Sequence, residues 1–265
     1  MSDFHLYKGA WVCGDVLNER ELTRRECRKM LNRGGYFVRN VFDFDCGEPT
    51  SFWYVIKDSF VDLSGFSKKN RGYIKRAYEY LDIGRISRDE MLAEAYNVYV
   101  AAFGRYTVKV GMASEEDFRR GISDASDFTD FWGCRMKDSG KLVAFMIAER
   151  RGDICEYKTS KADPAYLPHY YPLYGLYYAR DEYYLSGENP CRFVISGSRS
   201  ITEHSNIQSF LEEKFFFRKA YCRMRIYYVW WLRLLVKLLY PFRNIIPVYR
   251  LRALFHMEAM SRGAI

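Results

Sequence analysis

Four side chains able to move protons or hold anions crowd into "ISGSRSITEHSN", residues 195–206: Ser196, Arg199, His204 and Asn206. Transfer of an acyl group to an amine needs a base to take the amine proton. A histidine titrating near neutral pH suits that step. An arginine presents a planar fork that matches carboxylate or phosphate. Each has a plainer use. His204 stands where a helix cap would be, beside Ser205 and Asn206, and Arg199 suits a surface ion pair. Glu212, in "SFLEEKF", is a second candidate base on a helical pattern that commonly leaves such a residue in solvent.

Two further groups could bind a donor. Lys68, Lys69 and Arg71 open a helical pattern and could hold a nucleotide or tRNA phosphate, or form an exposed basic turn. Tyr166, Tyr170, Tyr171 and Tyr174 border a proline-rich stretch and could stack on a base or sugar, or pack into a core. There is no G-x-S-x-G elbow, no Walker motif and no paired carboxylates at a recognisable spacing.

The elements that must position these groups follow from periodicity. "NERELTRRECRKMLNR" suits a surface helix, and "GGYFVRNVFDFD" and "SFWYVIKD" read as strands. "SGFSKKNRGYIKRAYEYL" carries Ile74, Ala77, Tyr78 and Leu81 at helical spacing. "SRDEMLAEAYNVYVAAFGRY" has an N-cap serine and first-turn acids, and "SEEDFRRGI" repeats that signature. "FWGCRMKDSGKLVAFMIAERRGDICEYKTS" gives three strands split by two tight turns, an antiparallel meander. "KADPAYLPHYYP" reads as a loop, "LYGLYYARDEYYLSG" as a helix and "CRFVISG" as a strand. This order predicts an α+β fold with a mixed, mostly antiparallel central sheet flanked by helices.

Composition narrows the class. The chain has 265 residues, 49% of them apolar, which supplies a packed core. Seven cysteines lie at least 14 positions apart, with no metal-ligand spacing. The odd count and the polar first residues predict reduced thiols and a cytoplasmic protein without a bound metal. Net charge is +8, and residues 215–265 alone carry +9. The main body is therefore not a broad nucleic-acid-binding surface, and the basicity points to a local anionic contact. "VWWLRLLVKLLY", 229–240, is too short to span a bilayer of ~30 Å. It suits an in-plane interfacial helix on an anionic membrane surface, or a helix packed on its own sheet or a partner.

Three stretches carry a resemblance. "FWYVIKDSFVDLSGFSKKNRGYIKRAYEY" is similar to the strand, Ser-Lys-x-x-Arg turn and basic helix of Fem-type, tRNA-dependent aminoacyl transferases. "GKLVAFMIAER" is similar to the central strand of the wider GNAT superfamily, and "LEEKFFFRKAY" to its closing helix-to-strand step. The resemblance covers about residues 50–228. It implies an N-terminal extension over 1–49, a GNAT-like domain over 50–228 and a basic aromatic helical region over 229–265. It implies acyl or aminoacyl transfer to an amine of a cell-envelope or surface-polysaccharide precursor, with acyl-CoA or aminoacyl-tRNA as donor. Such a protein would sit in the cytoplasm or at the inner face of the membrane. It also implies that the strand 191–196 and its neighbour splay apart, with Ser196, Arg199, His204 and Asn206 rimming the gap. The chain departs from the superfamily at three places. Glu212 stands where a Tyr reprotonates the coenzyme A thiolate, and Phe216 stands where a Gly is usual. "DPAYLPHYYPLYG" replaces the glycine-rich phosphate loop. These departures keep open a second class, a catalytically silent GNAT-like module that binds a partner or a membrane.

Overall fold

The computed structural model describes residues 4–104, 111–201 and 207–264. In chain order the elements are β1 (Phe4–Tyr7), β2 (Ala10–Cys13), α1 (Arg24–Leu31), β3 (Phe37–Phe42), β4 (Phe52–Lys57), α2 (Lys68–Tyr80), β5 (Leu81–Ile86), α3 (Arg88–Phe103), α4 (Glu115–Ser123), β6 (Thr129–Met136), β7 (Leu142–Arg151) and β8 (Ile154–Ala162). There follow α5 (Leu167–Tyr170), α6 (Pro172–Ser186), β9 (Phe193–Ser198), α7 (Ile207–Phe215), β10 (Arg218–Tyr228), α8 (Trp230–Leu239) and α9 (Tyr249–Ser261). The chain is α+β, and its strands pair mostly antiparallel. Two compact units divide it. One holds residues 1–55, 198–206 and 219–265, and the other holds 56–197 and 207–218. The first unit thus joins segments from both ends of the chain, a grouping that chain order alone does not display.

In the first unit β1 and β2 form an antiparallel hairpin, β2 runs parallel to β3, and β3 pairs antiparallel with β10. The hairpin was not visible as periodicity, because its two strands have only four residues each. Helix α1 starts with a capping box, in which Thr23 accepts from the Glu26 amide and Glu26 accepts from the Thr23 amide. Cys27 and Met30 of that helix bury against Leu22 and Val38.

The second unit is built on the meander β5–β6–β7–β8, antiparallel throughout, and β9 joins β8 in parallel. Ser87 and Glu90 form a capping box on α3, as the sequence pattern predicts. Met91, Ala95 and Val98 of α3 then bury against Ile122, Phe131, Leu142 and Phe145. Helix α6 packs on β5–β8 and on α2. The approach is close at Gly175, where a Cβ would lie 2.3 Å from Ile83 Cδ1 and 2.9 Å from Ala77 Cβ. The stretch 161–172 is not wholly loop. Four residues of it form α5, whose Pro168 sits in the first turn, where a missing N–H costs nothing. Tyr171, in the left-handed region at φ 51°, separates α5 from α6.

All seven cysteines are free. Cys27, Cys134, Cys155, Cys191 and Cys222 are buried, and burial pushes their thiols up, Cys27 to about 11 and Cys222 to about 12. Cys13 and Cys46 are half-buried.

Candidate functional site

Strands β8 and β9 stay paired for three residues only. The register runs Ile154↔Phe193, Cys155↔Val194 and Glu156↔Ile195, and then stops. Strand β8 continues to Ala162 and β9 to Ser198, so the two part after Glu156 and Ile195. Gly197 takes φ +76° just beyond, a conformation that favours glycine. The end of this parallel pairing is where the GNAT resemblance leads us to expect an opening between the two strands. Ser196, half-buried, is the first β9 residue past the last pair.

The side chains at and behind this opening form a charged interior that no sequence motif announced. Tyr157, the first β8 residue past the last pair, is buried. Its hydroxyl donates to Asp181 Oδ1 at 2.9 Å, and Lys57 Nζ donates to Asp181 Oδ2 at 2.7 Å. Both carboxylate oxygens of Asp181 are thereby occupied. The neighbouring Arg180 is 0% exposed, and none of its three guanidinium nitrogens has a hydrogen-bond partner among the described residues. The guanidinium instead lies over two rings, Tyr157 at 3.6 Å and Tyr177 at 4.9 Å. Among the described residues of this unit, the fully buried charged side chains are thus two cations and one carboxylate. A buried cation without a hydrogen bond is costly, which makes Arg180 a candidate site residue. Burial holds the Asp181 carboxyl above the usual aspartate range and the Tyr157 hydroxyl well above the usual phenol range, although Lys57 pulls Asp181 the other way. Ser160 and Tyr177 meet through their hydroxyls at 3.0 Å on the same stretch of β8.

A second feature of the same unit lies at the start of α2. Lys68, Lys69, Gly72, Tyr73, Arg76, Pro168, His169 and Tyr171 line a groove of about 700 Å³. Tyr171 stacks on Tyr73 with centroids 3.9 Å apart, and Arg76 Nε donates to the His169 carbonyl at 2.6 Å. The groove therefore combines exposed cations with a ring pair.

The residues singled out from sequence are distributed as follows. Lys68 lines the groove, whereas Arg71 reaches back to the Phe66 carbonyl at 3.4 Å. Tyr170 packs edge-on to Tyr80 at 5.6 Å and does not line the groove, and its neighbour Tyr171 does. Glu212 is half-buried on α7. Arg199 belongs to the first unit, where its amide donates to the Trp53 carbonyl, its Nη1 donates to the Ser51 carbonyl at 2.8 Å, and its guanidinium lies 4.3 Å over the Trp53 ring. His204 and Asn206 lie outside the described residues. Among the described residues, no group of three His, Cys, Asp or Glu side chains is placed to hold a metal ion.

Sequence reasoning missed Lys57, Tyr157, Arg180 and Asp181. One signal was available. "LYYARDEYY" is apolar and aromatic on every side of the helix, so a charged pair inside it could not all face solvent.

No family model and no curated protein matches the sequence. Solved structures match it by fold. FemX superposes with a TM-score of 0.54 at 10% identity, over 71% of this chain and 63% of FemX. L-PGS from Bacillus licheniformis superposes with a TM-score of 0.51 at 14% identity, over 98% of this chain and 85% of L-PGS. The chain spans less than two thirds of the length of FemX. At these identities the likeness is one of fold alone, the fold that FemX and L-PGS share with this chain.

Proposed function

We propose that the protein is an N-acyl- or aminoacyltransferase whose donor enters where β8 and β9 part. The observation that carries this reading is the end of that pairing after Glu156 and Ile195, with the buried cation Arg180, which has no hydrogen-bond partner among the described residues, over Tyr157. In the reaction an amine attacks the acyl carbon, and negative charge develops on the acyl oxygen. A fixed positive charge in a dry interior lowers the energy of that oxyanion without reorganising at the moment of reaction. Lys57 and Tyr157 occupy both carboxylate oxygens of Asp181, so Asp181 acts on Arg180 through its field and not through a hydrogen bond. Glu212 is the proposed base for the amine proton, and Ser196, the first β9 residue past the last pair, is proposed to touch the donor. Much of the rate would come from positioning the amine against the acyl carbon.

Aminoacyl-tRNA is the favoured donor. Helix α6 begins with Pro172, which has no N–H, after Tyr171 in the left-handed region. That start has lost the Pro172 donor and turns the Tyr174 and Gly175 amides to the Tyr171 carbonyl, which leaves it a poor cradle for a coenzyme A pyrophosphate. The groove at α2 offers Lys68, Lys69 and Arg76 for phosphates and the Tyr73–Tyr171 pair for a base. The acceptor would be an amine of a cell-envelope precursor, reached at the inner face of the membrane.

The test uses purified full-length protein, a pool of tRNA charged with labelled amino acids, and an amine-bearing cell-wall precursor. Acceptor-dependent movement of label from tRNA to precursor is expected. Acetyl-coenzyme A should leave the melting temperature unchanged, although a ligand at 100 times its Kd stabilises by about 2.7 kcal/mol. Label that never leaves tRNA, together with a clear acetyl-coenzyme A shift, would replace this reading with an ordinary acetyltransferase.

A further inference from the structure

Helix α8, in the first unit, presents an apolar face that is largely exposed. Trp230 is 75% exposed, Leu238 68% and Leu234 53%, and Trp231, Leu235 and Leu239 are exposed beside them. At 3.6 residues per turn these six side chains share one half of the helix surface. Val236 is the buried residue of the opposite side, and Trp231 is fixed edge-on to Tyr36 at 6.2 Å. Arg233 and Lys237, one turn apart, fall on one border between the two halves. Apolar exposure continues along the chain at Phe242 and Ile245. Soluble proteins rarely leave a contiguous apolar surface of this kind without a partner.

That basic border faces a cleft of about 1520 Å³ within the same unit. Three cations of the cleft are already paired, Arg223 with Asp43, Arg225 with Glu21 and Arg262 with Glu258. Four others have no ion-pair partner among the described residues: Arg24 and Arg28 from α1, and Arg233 and Lys237 from α8. An apolar half-cylinder bordered by unpaired cations is complementary to the surface of an anionic bilayer, with acyl chains beneath and phosphates at the rim. No described helix is long and apolar enough to cross a membrane, and α8 at ten residues is far short of it.

We infer that the first unit docks on an anionic lipid bilayer, with α8 lying in the interface plane and the cleft beside it taking lipid phosphates. The inference stands whether or not the transferase reading holds.

The experiment is flotation of the full-length protein with phosphatidylcholine vesicles and with phosphatidylcholine vesicles containing phosphatidylglycerol. Three proteins are compared: the unaltered chain, W230E/L238E and R233A/K237A. All four positions are exposed, so near-native melting temperatures are expected, and circular dichroism checks them. The unaltered chain should float with the anionic vesicles and far less with the neutral ones. Salt should weaken the binding without abolishing it, because the apolar contact is not screened. W230E/L238E should stay at the bottom of the gradient. R233A/K237A should lose tenfold or more in affinity for anionic vesicles, at roughly fivefold per basic residue, and bind neutral ones as the unaltered chain does. Indifference of the unaltered chain to anionic vesicles at low salt overturns the inference. So does a W230E/L238E protein that floats unchanged. A dimer by sedimentation equilibrium that W230E/L238E dissociates, with no flotation of the unaltered chain, would assign the face to a second copy instead.

Discussion

The guanidinium of Arg180 rests 3.6 Å above the ring of Tyr157, and Tyr157 spends its hydroxyl on Asp181, not on Arg180. The cation is thus held by the ring faces of Tyr157 and Tyr177, with no hydrogen bond among the described residues. A cation over a desolvated aromatic ring gains on the order of 2 kcal/mol, which is small beside the cost of burying it.

Replacing Arg180 by methionine should therefore leave the fold intact. Removing a buried cation that makes no hydrogen bond or ion pair removes its desolvation cost without stranding a hydrogen-bonded partner. R180M should melt at or above the temperature of the unaltered protein and should have lost any transfer activity. A melting temperature several degrees lower would show that the cation is structural.

The Lys57–Asp181 pair makes the opposite forecast. Its members are 2% and 1% exposed, and removing one strands the other. K57M should cost about 3–5 kcal/mol in urea denaturation. K57M/D181L, which removes both charges, should recover most of that loss. If the double variant were no more stable than the single, the pair would not be coupled as the geometry requires.

Phe216 sits at φ 62°, where the GNAT pattern has glycine. Its ring lies 5.0 Å from that of Phe66 and 6.0 Å from Lys57 Nζ. F216A and F216G both delete the ring, and only glycine relieves the backbone. F216G should be more stable than F216A by about 1 kcal/mol. Equal stability by urea denaturation would remove the strain.

Acid should act on α1 through its cap. Backbone and side-chain hydrogen bonds from Thr23 and the side chain of Arg20 lower Glu26 from 4.5 to about 2. The folded value lies below the unfolded one, so this stabilisation is present above pH 4.5 and is lost as pH falls through about 2. E26Q should melt below the unaltered protein at neutral pH, and the gap should close over that acidic window. A gap constant down to pH 2 would sink the assignment.

Local signals were legible in the sequence. The cap serines Ser87 and Ser114 each accept from a backbone amide three residues on, and the meander has the predicted antiparallel order. The end of the pairing between β8 and β9 is a structural observation, whereas the strand β9 itself was legible as an element. The charged interior was not. Lys57 closes a short strand and Asp181 lies 124 positions away on a helix, so no local pattern joins them. Read singly, each is the kind of charge that ordinarily stays in water. Tyr171 was weighed alongside Tyr170 as a ring of the proline-rich stretch, and only the left-handed backbone at Tyr171 decides which of the two meets Tyr73.

The burial of five of the seven thiols has a practical reach. An alkylating reagent attacks the thiolate, and burial holds Cys27, Cys134, Cys155, Cys191 and Cys222 protonated and out of reach. Cys13 and Cys46 are the accessible pair, and both belong to the unit that carries α8. A maleimide dye applied to the native chain would therefore label that unit alone. It would leave the unit of the β8–β9 opening dark, so the two could be followed separately by fluorescence without changing a single residue.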